Sequence, residues 1–203
     1  MRKAIAVITG TFNPMQNAHV NLGEQVLNKY ANVEKVIYVP VSNQYVKSDL
    51  QDSEYRFQIL KAVCDARENF EVSRVEIDNK TQLFTYQTLD LIKDEYKEYD
   101  IYLVIGSDNL KSFHTWREYE YILENYKVIV FSRDEDNLEK IVAESKYLAK
   151  YANRILFVIA NNFLNVSSTQ VRNNIKAGKE FKHLVPKEVY EYILLNNKYE
   201  KES

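Results

Sequence analysis

The sequence predicts an α/β fold, a parallel sheet wound on both faces by helices, and three observations carry that expectation. Six short apolar runs recur along the 203 residues, most of them continuous rather than alternating, as strands buried on both faces are. Segments with helical spacing lie between them, and strand and helix in regular alternation imply parallel crossovers. Two of only four glycines close such runs, Gly10 after the first and Gly106 after the fourth.

In chain order, strands are expected at Ala4–Ile8, Lys35–Val39, Phe70–Val75, Ile101–Ile105, Lys127–Phe131 and Arg154–Ile159. Ala18, Leu22, Val26 and Tyr30 form the first helical stripe, with Gly23 inside it for packing. Ile59, Leu60 and Val63 belong to a second stripe; Val185, Val189 and Ile193 mark another near the C-terminus. Gly178 follows a helical segment and reads as its C-terminal cap. The pattern is Rossmann-like and doubly wound, of strand order 3-2-1-4-5 with an extra strand. Strands one and four are then neighbours at the topological switch point, where ligands sit beyond the strands' carboxyl ends. A site is expected where Gly10 and Gly106 meet. No linker or repeat divides the chain, so residues 1–203 are expected to form a single domain, with 168–203 as its C-terminal helical part.

Composition narrows the function classes. With 45% apolar and 28% charged residues the chain reads as globular, and its length lets it bury about 70% of its unfolded surface without a disulfide or structural metal. The formal net charge of -2 argues against coating nucleic acid or an anionic membrane, so neither is expected as a partner. The single cysteine, Cys64, excludes a disulfide framework and a cysteine zinc site, and His19, His114 and His183 lie far apart in sequence. There is no membrane-length apolar run and no signal-peptide pattern, and the expected compartment is cytoplasmic. Four glycines cannot write a dinucleotide G-x-G-x-x-G loop or a G-x-x-x-x-G-K-[ST] loop, so phosphate chemistry needs another architecture. The sixteen tyrosines read as half-buried packing residues.

Two segments carry chemistry. Gly10-Thr11-Phe12-Asn13-Pro14-Met15-Gln16-Asn17-Ala18-His19 runs from strand one into the first helix. Pro14 blocks an early helix start and leaves the amides of Gly10, Thr11 and Phe12 able to face a ligand. Gln16 and His19, three apart, can point to one side, and a helix mouth with amides and a histidine can seat a phosphate. The alternative is an ordinary structural turn. In Val166-Ser167-Ser168-Thr169-Gln170-Val171-Arg172, Ser167 and Gln170 read as a capping box. The hydroxyls of Ser168 and Thr169 with Arg172 one turn on make a second phosphate seat, against the alternative of a well-capped surface helix.

The pair G-T-F-N-P-x-Q-x-x-H and S-S-T-x-x-R resembles the nucleotidyltransferases with G-x-F-x-P-x-[HT]-x-x-H and S-[ST]-x-x-R motifs. Phe84-Thr85-Tyr86, Gly106-Ser107-Asp108-Asn109-Leu110, Trp116 and His183-Leu184-Val185-Pro186 are similar to one branch, the nicotinate/nicotinamide mononucleotide adenylyltransferases. The resemblance implies an enzyme moving AMP from ATP to nicotinate mononucleotide or nicotinamide mononucleotide, with release of pyrophosphate. It implies catalytic roles for His19 at the α-phosphate and Arg172 at the β- and γ-phosphates. Gly10, Thr11, Phe12, Gln16, His19, Gly106, Asp108, Ser167, Ser168, Thr169 and Arg172 would serve ATP. Asn13, Lys47, Thr85, Tyr86 and Trp116 would serve the pyridine mononucleotide, Trp116 by stacking on its ring. Mg²⁺ would be held mainly by substrate phosphates and water rather than by a protein cage. Family members are often homo-oligomers, and this sequence carries no self-association signature.

The chain departs from the pattern at Gln16, which stands where the motif has His or Thr, and donates without a charge. The loop Pro40-Val41-Ser42-Asn43-Gln44-Tyr45-Val46-Lys47 lacks the proline pair and histidine of bacterial nicotinate-preferring enzymes and is closer to the eukaryotic type that accepts both pyridines. Two rivals stand beside the leading reading: a phosphopantetheine or cytidylyl transferase, and a catalytically silent nucleotide sensor. His114 is expected as an exposed loop residue and His183 as a packing or solvent residue.

Overall fold

The computed structural model describes residues 2–132, 137–159, 166–196 and 198–199. Its strands are β1 (Ala4–Gly10), β2 (Val33–Pro40), β3 (Phe70–Val72), β4 (Asp100–Gly106), β5 (Lys127–Ser132) and β6 (Ile155–Ile159). The helices among the described residues are α1 (Asn17–Lys29), α2 (Ser53–Asp65), α3 (Thr85–Glu95), α4 (Ser107–Ser112), α5 (Tyr119–Asn125), α6 (Leu138–Glu144), α7 (Ser168–Lys176) and α8 (Lys187–Leu195). They flank one six-stranded sheet of order β3-β2-β1-β4-β5-β6, the expected doubly wound order with one further edge strand. Ala4 pairs with Asp100, Tyr102 with Lys127 and Val128 with Ile155, all in parallel register. The reversal of strand order therefore falls between β1 and β4. Of the expected C-terminal helical part, 168–203, residues 197 and 200–203 lie outside the described residues.

Four expected strands fall inside slightly longer ones, and two overrun the strand observed. β3 stops at Val72 instead of Val75, because Asp78 N bonds back to Arg74 O and the Arg74 guanidinium forks onto the Asp78 carboxylate, turning the chain. Arg154 is not a strand residue: it donates to Leu123 O and Glu124 O, beside the C-terminus of α5.

The chain divides into two compact units. One is drawn from Met1–Ile8, Gln25–Val36 and Leu83–Asn162, the other from Thr9–Glu24, Ile37–Gln82 and Phe163–Ser203. In the first, the apolar runs of β1, β4 and β5 are sealed from water, with Ile5, Val7, Leu103 and Val128 to Val130 fully buried, as are Leu89 and Ile92 of α3, which packs on β4. In the second, Ile59, Leu60 and Val63 of α2 and Val189 and Ile193 of α8 are buried, and the two helices pack together. Each such side chain contributes about 1.5–3 kcal/mol through removal from water.

Three structural expectations from the sequence are met in the second unit. α7 ends in a Schellman motif, with Gly178 at φ +62°, Lys179 N donating to Asn174 O at 2.8 Å and Gly178 N to Ile175 O at 3.1 Å. Ser167 caps the start of α7, its hydroxyl accepting from Gln170 N at 3.1 Å. Gly23 lies where a Cβ would sit 2.9 Å from the Phe70 ring and also collide with the Tyr38 hydroxyl, which donates to His19 O at 3.0 Å. Gly23→Ala is therefore expected to destabilise the protein by about 1–2 kcal/mol, the overpacking penalty exceeding the gain of about 1 kcal/mol in helix propensity. A melting temperature unchanged or raised in that variant would refute the tight fit.

Candidate active site

The second unit holds both phosphate-seat motifs. β1 ends at Gly10, and α1 starts only at Asn17, three residues beyond Pro14, as the proline leads one to expect. Phe12 turns the loop with φ +42°, an unusual conformation for a bulky residue, and is almost fully buried. Its ring lies so close to Gly10 that a Cβ there would be 3.3 Å from Phe12 Cζ. The close approach that Gly10 permits is therefore to the chain's own Phe12 ring. That ring meets His19 edge-on at 5.1 Å and Tyr38 at 5.8 Å.

His19 is half-buried, and Gln16 N donates to its Nδ1 at 3.2 Å. An Nδ1 that accepts leaves the ring proton on Nε2, so the geometry selects the tautomer in which Nε2 is a donor. The Gln16 side chain is buried, and its Oε1 has no hydrogen-bond partner among the described residues. A buried acceptor in that condition costs about 1–3 kcal/mol, which a ligand donor or a flipped amide would relieve.

The S-S-T-x-x-R segment closes onto this loop through main-chain oxygens. Ser168 Oγ donates to Pro14 O at 2.9 Å, Arg172 Nη1 donates to Asn13 O at 2.8 Å, and Arg172 Nη2 lies 3.4 Å from Thr169 Oγ1. Gln170 N is taken by the Ser167 hydroxyl and Val171 N by Ser167 O, so the amides of Ser168 and Thr169 are the first-turn donors without an intrahelical partner. The two motifs, joined by bonds spanning 154 and 159 positions of sequence, are thus one assembly of amides, a histidine and a guanidinium.

Two supporting residues escaped the sequence reading or were given another role. Arg56 is completely buried and donates to three carbonyls: Gln51 O at 2.8 Å, Thr11 O at 2.9 Å and Val41 O at 2.6 Å. Burial lowers its basicity from the ordinary arginine value. A signal was present: Arg56 sits three, four and seven residues before Ile59, Leu60 and Val63, on the apolar stripe itself. Asn13, expected on the acceptor side, is buried and has its carboxamide engaged by the protein. Nδ2 donates to Asp49 O at 2.6 Å, and Oδ1 accepts from Gln51 N at 3.3 Å and Tyr199 Oη at 3.2 Å. Asp52 caps α2 by accepting from Glu54 N and Tyr55 N, and the Asn43 amide 2.7 Å away holds its carboxyl below the usual range. Lys47 is exposed in the loop after β2, and His183 is exposed, its carbonyl accepting from Asn17 Nδ2.

The remaining expected site residues lie in the first unit. Gly106 ends β4 and occupies the N-cap of α4, while Asp108 is exposed in that helix's first turn. Thr85 and Tyr86 are the first two residues of α3, whose entry is held by Phe84 N donating to Gln87 Oε1 at 3.0 Å. Tyr86 stacks on Phe84 at 6.4 Å and meets Tyr121 edge-on at 6.0 Å, while Arg117 lies over the Phe84 ring at 5.0 Å. Trp116 is half-buried, tilted on the fully buried Phe113 at 5.0 Å. His114 is not an exposed loop residue: it is half-buried in a 3-10 turn and stacked on Tyr147 at 4.4 Å.

Among the described residues no group of three or more His, Cys, Asp and Glu side chains could hold a metal ion. No helix among them is long and apolar enough to cross a membrane. Cys64 is buried, which pushes its thiol up to about 12 and leaves it a packing residue.

Residues 7–174 match the cytidylyltransferase-like family. A Clostridium botulinum (strain Okra / Type B1) protein named "Probable nicotinate-nucleotide adenylyltransferase" is 34% identical over 198 residues, 96% of this chain and 98% of that protein. A Clostridium tetani protein of the same name is 28% identical over 94% of this chain and 96% of its own length. Among solved structures, Plasmodium falciparum nicotinic acid mononucleotide adenylyltransferase complexed with NaAD shares the fold with a TM-score of 0.77 at 18% identity, covering 97% of both chains. With both motifs joined in one unit and full-length relatives of this identity, the chain belongs to the cytidylyltransferase-like family and, within it, to the nicotinate-nucleotide adenylyltransferases.

Proposed function

We propose that the protein transfers AMP from ATP to nicotinate mononucleotide, forming the pyridine adenine dinucleotide and pyrophosphate in NAD biosynthesis, with nicotinamide mononucleotide as the alternative acceptor. The observation that carries this reading is the joining of the two motifs, Ser168 to Pro14 O and Arg172 to Asn13 O, around a histidine whose Nε2 is the donor. A 5′-phosphate oxygen of the mononucleotide attacks the α-phosphorus of ATP, the bond from that phosphorus to the bridging oxygen breaks, and pyrophosphate leaves in line. No group on the protein is acylated or phosphorylated. Catalysis is therefore positioning and charge neutralisation.

His19 Nε2–H donates to an α-phosphate oxygen as charge develops there. Arg172 and the amides of Ser168 and Thr169 hold the β- and γ-phosphates; one Arg172 nitrogen is fixed on Asn13 O, which aims the others. Gly10, Thr11, Phe12, Gln16 and Ser167 shape the rest of the phosphate seat. Gly106 and Asp108 serve the adenosine, the carboxylate accepting from ribose hydroxyls. Thr85 and Tyr86 offer the first-turn amides of α3 to the pyridine, Trp116 stacks on its ring for about 1 kcal/mol, and Lys47 reaches the acceptor phosphate. Mg²⁺ would enter with ATP, held mainly by phosphate and water oxygens, and would supply neutralisation of phosphate charge. Homo-oligomerisation and a cytoplasmic location belong to the same reading.

The test is Mg²⁺-dependent pyrophosphate release from ATP with nicotinate mononucleotide, nicotinamide mononucleotide, phosphopantetheine or no acceptor. Release with a pyridine nucleotide alone is expected, and the kcat/KM ratio between the two gives the preference. Release with phosphopantetheine only would replace this reading by its nearest rival. ATP binding without release would favour a nucleotide sensor, which Gln16 in place of the motif's His or Thr would then explain.

A further inference from the structure

Asn13 is held from the far end of the chain. Beyond α8 the backbone returns to the G-T-F-N-P loop, and Tyr199 is inserted there with only 2% of its surface exposed. Its ring packs against Tyr55 at 5.7 Å and its hydroxyl donates to Asn13 Oδ1 at 3.2 Å. Next to it, Lys198 O accepts from Gln51 Nε2 at 2.7 Å and Lys198 Nζ lies over the Tyr55 ring at 5.2 Å. Asn13 thus has four partners: Tyr199 and Gln51 N on Oδ1, Asp49 O on Nδ2, and Arg172 Nη1 on its own carbonyl.

We infer that Tyr199 is a positioning residue for AMP transfer, fixing the loop that carries Asn13 and, through the Asn13 carbonyl, the Arg172 guanidinium. The kinetic half of this inference rests on the adenylyltransferase reading. Asn13 joins the phenol to Arg172 by hydrogen bonds, Tyr199 Oη on its Oδ1 and Arg172 Nη1 on its carbonyl, so loss of the hydroxyl frees the Asn13 carboxamide to rotate and loosens the carbonyl that aims Arg172. Burial raises the phenol well above its ordinary value, so it remains a neutral donor across the working pH range. A carboxamide with every polar atom bound is better suited to holding a loop than to leaving a side chain available for substrate.

The experiment uses the full chain with Tyr199→Phe, which keeps the buried ring and removes only the donor. Peptide-resolved amide exchange over residues 11–19 is read in the free protein, and steady-state kinetics in parallel. Exchange in that segment should rise several-fold, and kcat should fall about fivefold, the kinetic equivalent of one hydrogen bond, with the KM for ATP within about twofold. In an Asn13→Ala background, checked by circular dichroism for folding, Tyr199→Phe should have no further effect on kcat, whereas a purely structural role would give multiplying effects. Unchanged exchange, a wild-type kcat or multiplying effects would each overturn the inference. If the unmodified protein turns over no acceptor, the activity reading fails by itself, and the exchange measurement still decides whether Tyr199 holds the loop.

Discussion

His19→Ala is expected to lower kcat by about 10²–10³ while ATP affinity stays within a few-fold of the unmodified protein. The expectation follows from where the imidazole proton sits. Gln16 N donates to Nδ1, so Nε2 carries the hydrogen and is the atom able to meet negative charge on the α-phosphate. That charge grows only as the P–O bond to pyrophosphate breaks, so the lost interaction belongs to the transition state and appears in kcat rather than in binding. His19→Gln, which lacks a ring nitrogen to accept from Gln16 N, should not recover more than a small part of the rate. Steady-state pyrophosphate release and ATP titration of the same preparations provide the two numbers. Turnover within threefold of the unmodified enzyme would remove His19 from the chemistry.

Arg56→Met is expected to destabilise the protein by about 3–5 kcal/mol, a fall of roughly 10 °C in melting temperature for a chain of this size. The side chains are similar in length, so the effect isolates the guanidinium. Its loss strands three part-buried carbonyls, at Gln51, Thr11 and Val41, each unpaired acceptor costing up to about 1–3 kcal/mol before the loops relax. Arg56→Lys should recover little, because an ammonium is a compact point charge and cannot reproduce a planar fork spanning three directions. Since Thr11 belongs to the phosphate loop, kcat should fall along with the urea midpoint. A midpoint within about 0.2 M of the unmodified protein would show that the three bonds are dispensable.

The contrast between these two residues shows what the sequence can reveal. His19 was legible because a strand-loop-helix junction with a histidine has a spacing that can be recognised before any coordinates. The central strands were legible because Ala4–Ile8 and Lys127–Phe131 are continuous apolar runs, and burial on both faces leaves no other pattern. Arg56 was hidden by the same logic. An arginine on an apolar helical stripe looks like an interruption, and only the convergence of three carbonyls from separate segments makes it a core residue. Tyr199 was hidden for a different reason: it is one of sixteen tyrosines that read alike as half-buried packing residues, and nothing in its spacing sets it apart. β3 was overextended because Val75 adds a further β-branched apolar residue after Phe70 and Val72, while the Arg74–Asp78 ion pair that turns the chain reads in sequence as two exposed charges.

The bonds from Ser168 and Arg172 to the carbonyls of Pro14 and Asn13 span 154 and 159 positions of sequence. Contacts so distant along the chain form late, because a long loop must close before they contribute. During synthesis the G-T-F-N-P segment leaves the ribosome well before α7, and its carbonyls wait for that helix to find these partners. A nascent chain stopped before Ser168 can carry the apolar strands and still lack the Arg172 guanidinium, so the proposed phosphate seat is assembled only after α7 has been made.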